Sequence, residues 1–258
     1  MDFQILLAGK VIRLHTLYEM TCQLCRDYLC EAQEPDFSVE ITESDLIREK
    51  ELSAANDLEE GRDPVRYGED YLETLAVYRK IADQMIRYDT FLMHGAVVTA
   101  GALDEAVMFT AESGVGKTTR SRMWLKNVPG SCIINGDKPL LKVTESEVFA
   151  CGTPWAGKEQ LQTNRMVPLR AVLLLERSEE NRIEEAALHD VLPVLLSQVY
   201  RSERQEGFLQ TMKLLSRMGK QVKFYRYHSN LEDEAIEIAC REIYGTSPSG
   251  LQALSKEP

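Results

Sequence analysis

Residues 109–120 read FTAESGVGKTTR, from Phe109 to Arg120. The run Ser113, Gly114, Val115, Gly116, Lys117, Thr118 has the composition of a loop that wraps phosphate. Glycines let the backbone approach the anion closely, successive N–H groups point into one concavity, and a following helix adds its positive end. In such a loop Lys117 neutralises β/γ-phosphate charge and the Thr118 hydroxyl helps hold Mg²⁺, with Thr119 next on the helix. Ala111 stands where the pattern G-x-x-x-x-G-K-[ST] has its first glycine. A small residue serves there if its φ is negative. The context fits as well: an apolar strand, AVMFT, leads in and a helix-compatible stretch through about Leu125 leads out.

Outward from the loop, the chain alternates strands and helices. FLMHGAVVTA (91–100) reads as a strand turned by GALDE into the strand feeding the loop, and it carries His94. Hairpin geometry brings the start of that strand near the phosphates, although a lone strand histidine also serves plain structural roles. PGSCIINGDKPLLKV supplies another strand, and Asp137 ends its apolar run CIINGD, the usual way to set a carboxylate beside Mg²⁺. Capping the turn before Pro139 is the structural alternative for Asp137. GTPWAGKEQ (152–160) is a glycine-containing loop after a strand, and Lys158 and Glu159 make it a candidate substrate or phosphate loop. Arg120, one turn into the helix, either reaches phosphate or faces water. PLRAVLLLER (168–177) is an apolar run suited to a central strand. Helices at about 188–198 and 205–218, the strand VKFYRYH and the helix LEDEAIEIACREIY complete an α/β pattern.

The N-terminal part differs in character. Short strands at 2–8 and 10–15, a helix at about 17–30 and the strand DFSVEIT precede a charged, weakly periodic stretch. EEGRDPVRYGED carries turn residues and reads as a linker. The amphipathic stretch DYLETLAVYRKIADQMIRY then opens the second region. The expected division is a small acidic α+β domain at 1–66 and a nucleotide-binding domain at 67–258.

Bulk properties narrow the function. The net charge is −11, and residues 1–90 hold 20 acidic against 10 basic side chains. An acidic chain without a basic stripe argues against nucleic-acid binding and against an anionic membrane surface. No apolar run approaches a membrane span, and the N-terminus lacks the charge and apolar length of a signal peptide, which points to a cytoplasmic protein. The six cysteines then read as reduced thiols. Cys22 and Cys25 form a C-x-x-C with Cys30 behind, but no second ligand pair follows at a zinc-like spacing.

Four segments, taken in order, carry a family resemblance: HG at 94–95 with Val97, SGVGKT at 113–118, IINGD at 133–137 and GTPW-GKE at 152–159. They resemble the C-terminal catalytic domain of HPr kinase/phosphorylase, and more closely its shorter HPr-kinase-like relatives, some associated with tailoring ribosomal peptides. The resemblance covers about residues 70–258. It implies a P-loop nucleotide-binding fold like that of phosphoenolpyruvate carboxykinase. It also implies phosphorylation of serine on a protein or peptide, using ATP and Mg²⁺. Lys117 and Thr118 would bind phosphate and metal, Asp137 would bind metal or take the hydroxyl proton, and His94 would lie beside the transferred phosphoryl group. Where HPr kinases have two adjacent aspartates this chain has Gly136 and Asp137, so one carboxylate serves both roles or Glu159 helps. Nothing matches the glycine-rich, isoleucine-rich signature of the bifunctional enzymes, so neither phosphorylase activity nor HPr as substrate is implied.

The sequence thus points to an ATP-dependent kinase acting on serine or threonine of a protein or peptide. A small-molecule kinase of the same fold is one alternative; an ATP-binding regulatory module that transfers nothing is another. Homo-oligomerisation is left open.

Overall fold

The computed structural model describes residues 1–59, 61, 63–112 and 114–254. The chain divides into two compact units, Met1–Met85 and Ile86–Pro258. The protein is a mixed α/β molecule, as the sequence pattern implies.

In the first unit, β1 (Asp2–Leu7) and β2 (Lys10–His15) form an antiparallel hairpin. Ala8 and Gly9 both have positive φ, at 51° and 77°, the handedness that lets a two-residue loop match the strand twist. After α1 (Glu19–Leu24), β3 (Phe37–Glu40) adds parallel to β2. The helix expected to run to residue 30 stops early because the chain is needed at the edge of β1. There the Cys30 N–H donates to the Gln4 carbonyl, and Leu29 bridges Ile5. The charged stretch beyond β3 is a full helix, α2 (Glu43–Glu59). Its start is fixed by bonds that weak periodicity hides: Thr42 offers both its N–H and its hydroxyl to the Asp45 carboxylate, each at 2.8 Å.

The long helix α3 (Glu69–Met85) packs on α1, α2 and β3, so the division falls at its end and not before it, at 66/67. Its Glu73 is a fully buried carboxylate that accepts from the Leu17 and Tyr18 N–H groups and the Thr21 hydroxyl, tying the chain that enters α1 to α3.

The second unit is built around one strand. The strands before the glycine loop are β4 (Thr90–Leu92), β5 (Ala96–Thr99) and β6 (Ala106–Thr110), and the loop leads into α4 (Lys117–Asn127). Next come β7 (Ile133–Asn135), β8 (Leu140–Val143), β9 (Val148–Cys151), the twelve-residue β10 (Met166–Arg177) and β11 (Arg182–Ala186). Helices α5 (Leu188–Gln198) and α6 (Gln205–Met218), strand β12 (Lys223–Ser229) and helices α7 (Glu234–Tyr244) and α8 (Leu251–Leu254) finish the unit.

Strand β10 changes partner along its length. Met166–Pro168 pair antiparallel with β9, whereas later residues pair in parallel with β6 and β12. Alternate residues of β10 enter two cores. Val172 and Leu174 meet Val191 and Leu195 of α5 and Leu214 and Met218 of α6. Ala171, Leu173 and Leu175 meet Trp124 of α4 and Ile236, Ala239 and Ile243 of α7. An apolar run buried on both faces is what a central strand between helical layers requires.

Two stretches expected as single strands are each broken. FLMHGAVVTA becomes β4 and β5 with Met93–Gly95 between them, and CIINGDKPLLKV becomes β7 and β8 with Gly136–Pro139 between them. The breaks face each other, since β4 pairs with β8, β5 pairs with β7, and the Gly95 N–H donates to the Asp137 carbonyl at 2.9 Å. At each break the chain passes from one part of the curled sheet to another. Regular pairing lapses there, and side chains become available for other work. Among the described residues no helix is long and apolar enough to cross a membrane.

Candidate functional site

The glycine loop joins the carboxyl end of β6 to α4, in the position where open α/β sheets take ligands. Gly114 and Gly116 have φ of 79° and 118°, with open space where a Cβ would stand. Glycine is needed there for backbone conformation and not for close packing. Ala111 is buried and is not among the positive-φ residues, so its methyl group is accommodated. Gly116 is the N-cap of α4 and has no side chain with which to cap it, so the positive end of the helix opens at the glycine loop. Ser113 lies outside the described residues. Thr119 sits exposed in the first turn and does not line the cleft described below.

Lys117 folds back onto its own loop, donating to the Ala111 carbonyl at 2.9 Å and the Glu112 carbonyl at 3.3 Å. Partial burial lowers its pKa, while the charge of Asp137 works in the opposite sense. On the β10 side, Arg177 grips the loop from outside, donating to the Gly114 and Val115 carbonyls.

His94 and Asp137 occupy the two facing strand breaks. His94 Nε2 lies 2.8 Å from Asp137 Oδ1, and Lys138 Nζ lies 3.4 Å from Asp137 Oδ2. The His94 backbone is fixed by its N–H to the Gln198 carbonyl at 2.7 Å and by the Thr110 hydroxyl to its own carbonyl at 2.9 Å. Gly95 allows this approach: a Cβ there would stand 2.8 Å from the Phe109 carbonyl oxygen. Burial by itself raises the Asp137 pKa. The His94 hydrogen bond and the charges of Lys138 and His94 outweigh it and bring the value down to about 2.

Asp137 opens onto a cleft of about 350 Å³. One wall is the first turns of α4, with Thr118 and Ser121; the other is the 156–161 loop, including Gly157, Lys158 and Glu159. The Glu159 carboxylate is bound to Arg122 of α4 at 2.8 Å, so the acid expected to assist Asp137 is engaged at the rim by an arginine. Arg120 is placed elsewhere. Its buried guanidinium donates to the Ser229 and Asn230 carbonyls and lies over the Tyr227 ring, tying α4 to the end of β12. The reason is helical geometry: the direction Arg120 takes from α4 leads into the β12 side of the core and not into the cleft.

Asn135, Thr153 and Arg177 are residues that motif reading passed over. Asn135 and Thr153 lie inside quoted motifs but carry no catalytic chemistry of their own. Arg177 ends the central strand, and its place beside the loop follows from the parallel pairing of β10 with β6. All six cysteines are free thiols, and burial raises the pKa of Cys25, Cys151 and Cys240 to about 12. Among the described residues no group of three or more His, Cys, Asp or Glu is placed to hold a metal ion. No protein-family model matches the chain, and no curated protein matches it.

Proposed function

We propose that this chain is an ATP- and Mg²⁺-dependent kinase that transfers the γ-phosphoryl group to a hydroxyl, that of serine or threonine in a protein or peptide. The observation that carries the reading is Asp137, which is held by His94, lines the same cleft as Thr118 and lies within electrostatic reach of Lys117. The arrangement accords with a P-loop, HPr-kinase-like catalytic domain, in which Gly114–Thr118 would cradle the phosphates.

Phosphoryl transfer needs positioning and charge neutralisation more than covalent help from the protein. The acceptor oxygen forms its bond to phosphorus as the bond from phosphorus to the bridging oxygen of ADP breaks. The hydroxyl proton passes to Asp137. A carboxylate with a pKa of about 2 is ionised throughout the physiological range and is a weak base. Its main work is then to accept the hydroxyl hydrogen bond and aim the oxygen. His94 holds Oδ1 and fixes the direction of the carboxylate. Lys117, when it leaves the Ala111 and Glu112 carbonyls, supplies positive charge to the phosphates.

The Thr118 hydroxyl and the Asp137 carboxylate are hard oxygen donors lining one cleft, which suits Mg²⁺. This ion commonly takes one or two protein oxygens and completes its shell with water and substrate phosphate. When bound it neutralises phosphate charge.

The test is incubation with labelled ATP and candidate peptides, with intact-mass analysis of the peptides. Label on a peptide hydroxyl, lost in Lys117→Ala, is the expected result. Lys117-dependent release of free phosphate alone would replace the kinase by an ATP-driven regulatory module. Label on a metabolite alone would make the chain a small-molecule kinase.

A further inference from the structure

Asn135 and Thr153 are fully buried polar side chains, and neither faces the cleft. A buried amide is costly unless its donors and acceptor are used. Asn135 Oδ1 accepts the backbone N–H groups of Asp137 at 2.8 Å and Lys138 at 2.7 Å. Its Nδ2 donates to the Thr153 carbonyl and hydroxyl oxygens, both at 3.0 Å. The Thr153 hydroxyl in turn donates to the Lys138 carbonyl at 2.7 Å. Apart from a longer contact of the Thr153 hydroxyl with the Trp155 carbonyl at 3.4 Å, the side-chain polar atoms of the two residues are spent on the turn that carries Asp137 or on the bond joining them.

This turn lies in the break between β7 and β8, where the regular ladder lapses. Long-range backbone bonds reach the Gly136 N–H, which donates to the Leu161 carbonyl, and the Asp137 carbonyl, which accepts from the Gly95 N–H. The Asp137 and Lys138 N–H groups depend on Asn135. Without local bonds a Gly-containing turn of this length samples several conformations, and the carboxylate direction would wander with it. The side-chain choices match the task. An aspartate at 135 could accept the same two N–H groups, but it would set a carboxylate oxygen against the Thr153 carbonyl in place of a donor. Valine at 153 would keep the shape and lose the bond to Lys138.

We propose that Asn135 and Thr153 are positioning residues that lock the 136–138 turn, so that the Asp137 carboxylate meets His94 and faces the cleft before any nucleotide arrives. The catalytic consequence rests on the kinase reading, whereas the locking of the turn does not.

Two readouts on Thr153→Val, Thr153→Ser and Asn135→Asp separate these parts. The first is amide hydrogen exchange. Asp137 and Lys138 are expected to exchange about tenfold faster or more in Thr153→Val and Asn135→Asp, with protection across β10 unchanged and Thr153→Ser close to wild type. The second is kinetics. The same two variants are expected to lose about 10- to 100-fold in kcat while the Kd for ATP stays within about threefold, with Thr153→Ser restoring turnover. Wild-type exchange at Asp137 and Lys138 overturns the lock. Faster exchange with unchanged kcat overturns its role in transfer, as does a joint fall in kcat, ATP affinity and β10 protection. A wild-type protein that phosphorylates nothing sinks the kinase reading and leaves the exchange result to decide the lock.

Discussion

His94 Nε2 and Asp137 Oδ1 lie 2.8 Å apart, although the two residues are 43 positions apart in the chain. Each sits where a strand is interrupted, and the two interruptions are held together by the Gly95 N–H and the Asp137 carbonyl. The pair couples the edge of the sheet to the cleft beside the glycine loop.

Replacing Asp137 by Asn removes the charge and keeps the shape. Turnover is expected to fall by about 100-fold or more, with ATP affinity, read by calorimetry, held within a few-fold. Wild-type turnover in this variant would falsify the assignment of Asp137.

The same residue gives a pH signature. Its folded pKa, about 2, lies below the ordinary value of 3.8. A depressed carboxyl pKa contributes stability that is present above the unfolded value and is lost as pH falls through the folded one. Wild-type Tm is expected to drop between about pH 4 and pH 2 more steeply than that of Asp137→Asn. Parallel Tm curves for the two proteins over this window would show that the carboxylate is not held as described.

Gly95→Ala places a methyl group against the Phe109 carbonyl and the Met108 side chain. The methionine can move and the β6 backbone cannot, so the His94 segment has to shift. The expected result is a lower Tm together with a loss of turnover larger than the loss of ATP affinity. A variant matching wild type in thermal melts and kinetics would contradict the packing at this glycine.

Arg177→Ala removes the two donors that hold the Gly114 and Val115 carbonyls. Arg177 is exposed, so the cost to the fold is small, but the loop loses an external brace. ATP affinity is expected to weaken by about 3- to 10-fold, the worth of one charged hydrogen-bond set at a wet site. Calorimetric titration checks this, and unchanged affinity refutes the bracing role.

Arg120→Ala separates structure from function on the same helix. The Ser229 and Asn230 carbonyls lose a buried charged donor, a cost of about 1–3 kcal/mol, seen as a Tm lowered by several degrees. Turnover per folded molecule at low temperature is expected to stay near wild type. A specific loss of phosphate affinity would place Arg120 back at the nucleotide.

The glycine loop was legible because its chemistry is local. Successive backbone N–H groups, two positive-φ glycines and an adjacent lysine and threonine lie within a few residues, and a strand before and a helix after complete them. The central strand β10 was legible for a similar reason, since burial on both faces requires an unbroken apolar run. The alternation that sends Val172 and Leu174 to one core and Leu173 and Leu175 to the other follows from strand geometry alone.

The turn residues Gly136 to Pro139 mark one break locally, but that it faces the break at His94 was not legible, because only the long-range pairing of β4 with β8 and of β5 with β7 brings the two together. What a helical side chain meets was also beyond the sequence. Arg120 and Arg122 lie two positions apart on α4 and so take opposite directions, but only the tertiary packing decides that Arg120 meets β12 and Arg122 meets Glu159 at the rim of the cleft. Sequence by itself determined where the glycines, the lysine, the threonine and the carboxylate of the candidate site lie along the chain. The tertiary structure decided which of them meet, because hydrogen bonds such as those of Asn135 to Thr153 and of His94 to Asp137 depend on distances that only long-range pairing sets.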